Sequence, residues 1–136
     1  MSEVFGYPEF DASGEMVLTT YDNAYKDMQM DIRVYQMKAG ETRVFSREGE
    51  ETALLLLSGE ISFQWNGQEK TVSRKDVFTE GPWALHFCTG QRVSVKAVKD
   101  SEILMQCTKN ERVFADRLYA PEDAPWGYSC VGKFGN

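Results

Sequence analysis

Turn signals punctuate this chain at short intervals. They fall at Ser13-Gly14, Ala39-Gly40, Glu48-Gly49, Ser58-Gly59, Asn66-Gly67, Gly81-Pro82, Thr89-Gly90 and Lys99-Asp100. Between them lie short segments rich in β-branched and aromatic residues, which suit a pleated, half-buried surface. Many short strands at such spacing pack as a sandwich or a barrel, so the chain is read as all-β.

The segments support this individually. Met30, Ile32 and Val34 alternate with Asp31 and Arg33, which predicts a strand burying its apolar face. Residues 53–57 are apolar at every position and fit a central strand covered on both sides. Ile61, Phe63 and Trp65 alternate with Ser62, Gln64 and Asn66, and Asn66-Gly67 then marks a hairpin, because a type I′ turn needs φ > 0 at both central residues. Val93, Val95 and Ala97 form another alternating set, as do Ile103, Met105 and Cys107. The best helical window, residues 111–119, is short and reads equally as a strand. Residues 1–28 carry scattered aromatics, expected to form an arm laid against the barrel wall. Residues 120–136 form an aperiodic aromatic tail.

Length and charge bound the rest. At 136 residues the chain suits one domain, which needs no disulfide staple. The 42% apolar and 12% aromatic content is that of an ordinary core. A net charge of −6 with interspersed signs argues against nucleic acid or an anionic membrane as partner. Cys88, Cys107 and Cys130 make no CxxC pair and read as reduced thiols of a cytoplasmic protein. The first ten residues carry no basic patch followed by an apolar stretch, and the longest aliphatic run is far short of the ~20 residues of a membrane helix.

The stretch from Gly40 to Phe63 resembles the first signature of the cupin superfamily, a jelly-roll barrel of antiparallel strands. That signature sets a His-x-His pair and a Glu between two glycines, here Gly40 and Gly59. The His positions fall on Ser46 and Glu48, the Glu position on Thr52, and the His of the second signature on Val93. Cupins hold a divalent metal with imidazoles and a carboxylate, a set that selects transition metals. Of these four positions only Glu48 offers a ligand, and the chain contains a single histidine, His86. No metal or other cofactor is expected.

The resemblance extends further. Residues 30–42, 53–68, 76–90 and 117–136 are similar, in order and spacing, to the N-terminal half of the 5-deoxy-glucuronate isomerase family of inositol breakdown, related to the uronate isomerase of pectin breakdown. The most telling pieces are Asp76-Val77-Phe78-Thr79-Glu80-Gly81-Pro82 followed by Trp83, and the terminal Gly132-Lys133-Phe134-Gly135-Asn136. The resemblance implies a bicupin whose metal ligands and catalytic groups belong to its C-terminal barrel, so no catalytic residue carries over to a position here.

Each candidate site residue has two readings. His86, in an apolar strand-like segment, is a general acid or base or, on the favoured reading, a structural filler. Glu48, with Glu50 and Glu51 beside Arg47, is a proton-transfer group or part of a solvated rim turn. Arg33 and Arg43 can grip a sugar acid's carboxylate through a bidentate fork or simply line a polar strand face. Trp65, Trp83 and Phe63 can stack on a sugar or pack a core. Leu54, Leu56, Phe63 and Val93 would fill the barrel if they point inward.

Three functions remain open. The chain is the half of an isomerase whose metal-assisted aldose–ketose chemistry is done by another barrel. Alternatively it is a stand-alone, metal-free cupin that binds a small sugar acid or assembles subunits. The least favoured is a stand-alone isomerase with Glu48 and His86 as its acid–base pair. A homodimer is expected under the first two, with residues 126–134 as part of the contact.

Overall fold

The structure is a computed structural model that describes residues 8–22 and 29–123. The described residues form nine strands: β1 Glu15–Thr19, β2 Met30–Met37, β3 Thr42–Phe45, β4 Glu50–Trp65, β5 Gln68–Arg74, β6 Ala84–Phe87, β7 Val93–Ala97, β8 Ser101–Lys109 and β9 Arg117–Tyr119. The window at 111–119 is irregular until β9. Only one 3-10 turn, Pro121–Asp123, is helical among the described residues, and none of their helices is long and apolar enough to cross a membrane.

The sixteen-residue β4 organises the molecule. Its first half lies in a sheet ordered β1-β2-β8-β4-β6-β9. Its second half pairs with β5 on one side and β7 on the other, and β7 in turn pairs with β3. All pairs are antiparallel.

Ser58-Gly59 is therefore a mid-strand transfer between sheets and not the turn expected. The register with β8 shifts between Leu56 and Ser58, and Gly59 has φ +106°. A Cβ there would lie 2.1 Å from Ser101 Oγ and 2.6 Å from the Asp100 carbonyl, so the position needs glycine on two counts. Ser101 Oγ accepts from the Glu60 N–H at 3.0 Å, and the buried Arg74 donates to the Leu56 carbonyl at 2.8 Å. These bonds supply partners where the ladder is interrupted. Asn66-Gly67 makes the predicted hairpin turn, with φ of 49° and 72°.

The antiparallel all-β fold is as expected, with two particulars of its own. Among the described residues the hydrogen-bonded path does not close: β1 and β9 end the first sheet, and β3 and β5 end the second. Side chains bridge one gap: Tyr35 meets Phe45 edge-to-face at 5.4 Å, and Arg43 lies 4.4 Å from the Tyr35 ring centroid. In addition, β2 presents the opposite face from the one predicted. Asp31 stands opposite Cys107, Arg33 opposite Met105 and Tyr35 opposite Ile103, and those three partners are fully buried. Alternation gives a period of two but does not say which face is the core, and paired charges can lie inward. Within the segment expected to lie against the barrel wall, residues 15–19 form an edge strand paired with β2.

The interior is filled. Leu54, Leu56, Phe63 and Val93 are all 0% exposed and belong to one hydrophobic cluster.

Candidate functional site

Register sets Thr52, one position of the cupin signature, within a core-facing row. Asp31, Cys107, Thr52 and Phe87 form one row across β2, β8, β4 and β6, on the core side of the sheet. Thr52, the expected carboxylate position, is buried with its hydroxyl 3.4 Å from Cys107 Sγ. Burial pushes the Cys107 thiol up, with only partial relief from the Thr52 bond. Val93 is buried, while Ser46 and Glu48 are exposed in the β3–β4 connection, Glu48 against Gly90. These four positions do not fit a metal: two are exposed, and the buried two offer a hydroxyl and a methyl pair. Among the described residues no group of three His, Cys, Asp or Glu side chains converges as a metal site.

An ion-pair network lies beside that row. Asp31, 3% exposed, accepts from Arg33 Nε at 2.7 Å and from Arg47 Nη2 at 2.9 Å. Arg33 also reaches Glu15 at 3.1 Å, and Arg47 reaches both Glu50 oxygens at 2.9 and 3.1 Å. Tyr35 donates to Glu15 and Tyr21 to Glu50, each at 2.8 Å. Burial raises the Asp31 carboxyl pKa, but the hydrogen bonds from Arg33 and Arg47 outweigh it and leave the group below the usual carboxylate range. Hydrogen bonding to Asp31 holds Arg33 more firmly charged. For Arg47 burial works the other way, and its bonds to Asp31 and Glu50 overcome it. Burial and bonds to carboxylates push both tyrosine hydroxyls upward, so they act as donors.

This network occupies Arg33, one of the expected carboxylate grips. A ligand carboxylate there would compete with Asp31 and Glu15. Arg43 instead stacks on Tyr35 and donates to the Ser13 carbonyl. Trp65 is buried at 8% exposure, edge-on to Phe63 at 6.5 Å, so both aromatics are core residues. Trp83 is half-buried with Lys70 Nζ 5.7 Å from its ring centroid.

His86 lies on the outer face of the first sheet, because its strand neighbours Leu85 and Phe87 point to the core. Its partner is Glu51, not Glu48: His86 Nε2 lies 2.7 Å from Glu51 Oε2. Asn110 donates to the other Glu51 oxygen at 2.8 Å, and Phe114 stacks on the imidazole at 4.7 Å. The Asn110 bond first, then the His86 bond, lower the Glu51 carboxyl pKa. The structure thus separates His86 from the core-side network. Asn110 and Phe114 carried no sequence signal, whereas the i, i+2 spacing of Asp31, Arg33 and Tyr35 did mark one face. Cys88 and Cys107 are buried and free; Cys130 and the expected contact at 126–134 lie outside the described residues.

The model of the KduI/IolB family matches residues 7–129. No curated protein matches the chain. Among solved structures, an IolB-like protein from Salmonella typhimurium is 20% identical with a TM-score of 0.65, over 69% of this chain and 37% of that one. A predicted oxalate decarboxylase from Thermotoga maritima is 17% identical with a TM-score of 0.58, over 75% and 91%. An RmlC-like cupin protein from Desulfovibrio desulfuricans is 20% identical with a TM-score of 0.55, over 74% and 87%. These likenesses show the cupin fold, and the chain spans 37% of the length of the IolB-like protein.

Proposed function

The chain belongs to the KduI/IolB family, and from that membership we propose that it is a cupin module without metal chemistry of its own, serving its family by packing and assembly. The observation that carries this reading is the row at Thr52. Around Thr52, the expected carboxylate position, stand a thiol, a phenyl ring and a carboxylate held by two guanidiniums, which supports the reading. In this reading, metal-assisted aldose–ketose isomerisation of a deoxyuronate is the work of another barrel.

The pairing of His86 with Glu51 on the outer face weighs against an acid–base isomerase built on Glu48 and His86. The engagement of Arg33 weighs against a sugar-acid site in the interior. The test is turnover of 5-deoxy-glucuronate by the purified chain, with and without added divalent metal. The reading predicts none in either condition. Saturable, metal-dependent isomerisation by this chain alone would overturn it.

A further inference from the structure

Asp31 shows one way this fold keeps a charge inside: two guanidiniums hold it. Arg74 has no such partner. It is 7% exposed, yet among the described residues its guanidinium joins no ion pair. Its acceptors are neutral. Nε donates to the Glu80 carbonyl at 3.1 Å and Nη1 to the Leu56 carbonyl at 2.8 Å. The interrupted ladder at Leu56 calls for an N–H donor, which a neutral amide would supply. A full positive charge there is costly without a counter-charge. Burial draws the guanidinium pKa below its usual value, and Glu80 and Asp76, acting from beyond ion-pair distance, offset only part of that.

Nη2 enters neither bond. Among the described residues the fully enclosed side-chain polar atom without a partner is Trp65 Nε1, so Nη2 is not sealed from solvent. Register sets Arg74 opposite Gly59, where β4 changes sheets. There Arg74 lines a cavity of about 480 Å³ together with Ser58, Ser73, Lys75 and Lys99. That volume lies within the roughly 300–1,000 Å³ of small-ligand sites.

We propose that Arg74 and this cavity bind the carboxylate of a small hydroxy acid. A guanidinium presents parallel N–H groups that match the two oxygens of a carboxylate. Lys75 adds positive charge, as does Lys99, which is shared with Glu60 at 3.7 Å. Glu60, Glu80 and Asp100 line the same cavity. Carboxylates accept from a ligand's hydroxyl groups, and they repel a phosphate monoester, with a charge of about −1.5 to −2, more than a singly charged carboxylate. This site goes beyond the assembly role proposed above and does not rest on it: turnover of a deoxyuronate is silent about Arg74, and ligand binding at Arg74 is silent about turnover.

An NMR titration of the full chain with glycerate decides it, followed at the Arg74 side-chain Nε–H and the backbone amides of Gly59 and Lys75. These resonances shift saturably, with a Kd of about 10 mM or tighter. Glycerol, the neutral counterpart, moves none of them, and glycerol 3-phosphate binds about 5-fold more weakly or worse. Arg74→Lys keeps the charge but loses the planar fork, and it weakens glycerate binding about 10-fold or more. Lys75→Glu, at an exposed position, weakens it about 3-fold or more. Glu80→Gln tightens it, while Lys96→Glu, which adds the same charge on β7, leaves it unchanged. If Arg74→Lys does not fold, Lys75→Glu and Glu80→Gln are read in its place. An Arg74 resonance that glycerate leaves unmoved up to about 100 mM, or binding that survives both Arg74→Lys and Lys75→Glu, would overturn the proposal. Equal binding of glycerol or glycerol 3-phosphate would overturn the carboxylate assignment.

Discussion

Asp31 on β2 and Arg47 in the β3–β4 connection meet at 2.9 Å, joining the two sheets where, among the described residues, no backbone ladder does. Arg33 holds the same carboxylate at 2.7 Å, so one buried anion anchors two cations.

Asp31→Asn leaves those guanidiniums without their shared anion. A fully buried pair broken on one side costs ~3–5 kcal/mol. Here the arginine side chains are 26% exposed, and water recovers part of that cost. The expected loss is about 2–3 kcal/mol of unfolding free energy, measured by urea denaturation at neutral pH.

The same group makes stability depend on pH. Its folded pKa is depressed relative to the unfolded chain, as is that of Glu51. Such groups contribute stability above the unfolded carboxylate value, about 4, and lose it as pH falls through the folded value. Wild type should therefore lose more stability between pH 7 and pH 3 than Asp31→Asn does, as read from urea midpoints at the two pH values.

The interior and the face of each strand were unequally legible in the sequence. Ile61, Phe63, Val93, Val95, Ile103 and Met105 follow directly from alternation, since each stands on an apolar face beside polar neighbours. The face of β2 does not, because Asp31 and Arg33 bear charge yet point inward, and only their partners on other segments make that tolerable. Ser58-Gly59 carries an ordinary turn signal; its role in a strand that changes sheets depends on Ser101, more than forty positions away in the chain. Glu51, rather than Glu48, as the partner of His86 is likewise a matter of strand register.

Gly59→Ala should be severe. The added methyl meets Ser101 and the Asp100 carbonyl at a backbone angle that L-residues rarely adopt. Overpacking and strain together cost about 3 kcal/mol or more, seen as a lowered urea midpoint or a loss of soluble protein. An unchanged midpoint would contradict the transfer of β4 between sheets.

His86→Ala should be mild by comparison. The pair with Glu51 is partly exposed, and such pairs contribute about 0–1 kcal/mol. Its signature is local: the Glu51 carboxyl, followed by NMR titration, moves up toward the ordinary carboxylate range while Asn110 still holds it partly down.

Metal stoichiometry tests whether the interior row at Thr52 holds an ion. The purified chain is incubated with manganese, iron, nickel or zinc, desalted, and analysed for bound metal. The account predicts far less than one ion per chain for every metal, unchanged in Glu48→Ala and Cys107→Ala. A stoichiometric ion that either substitution removes would contradict it.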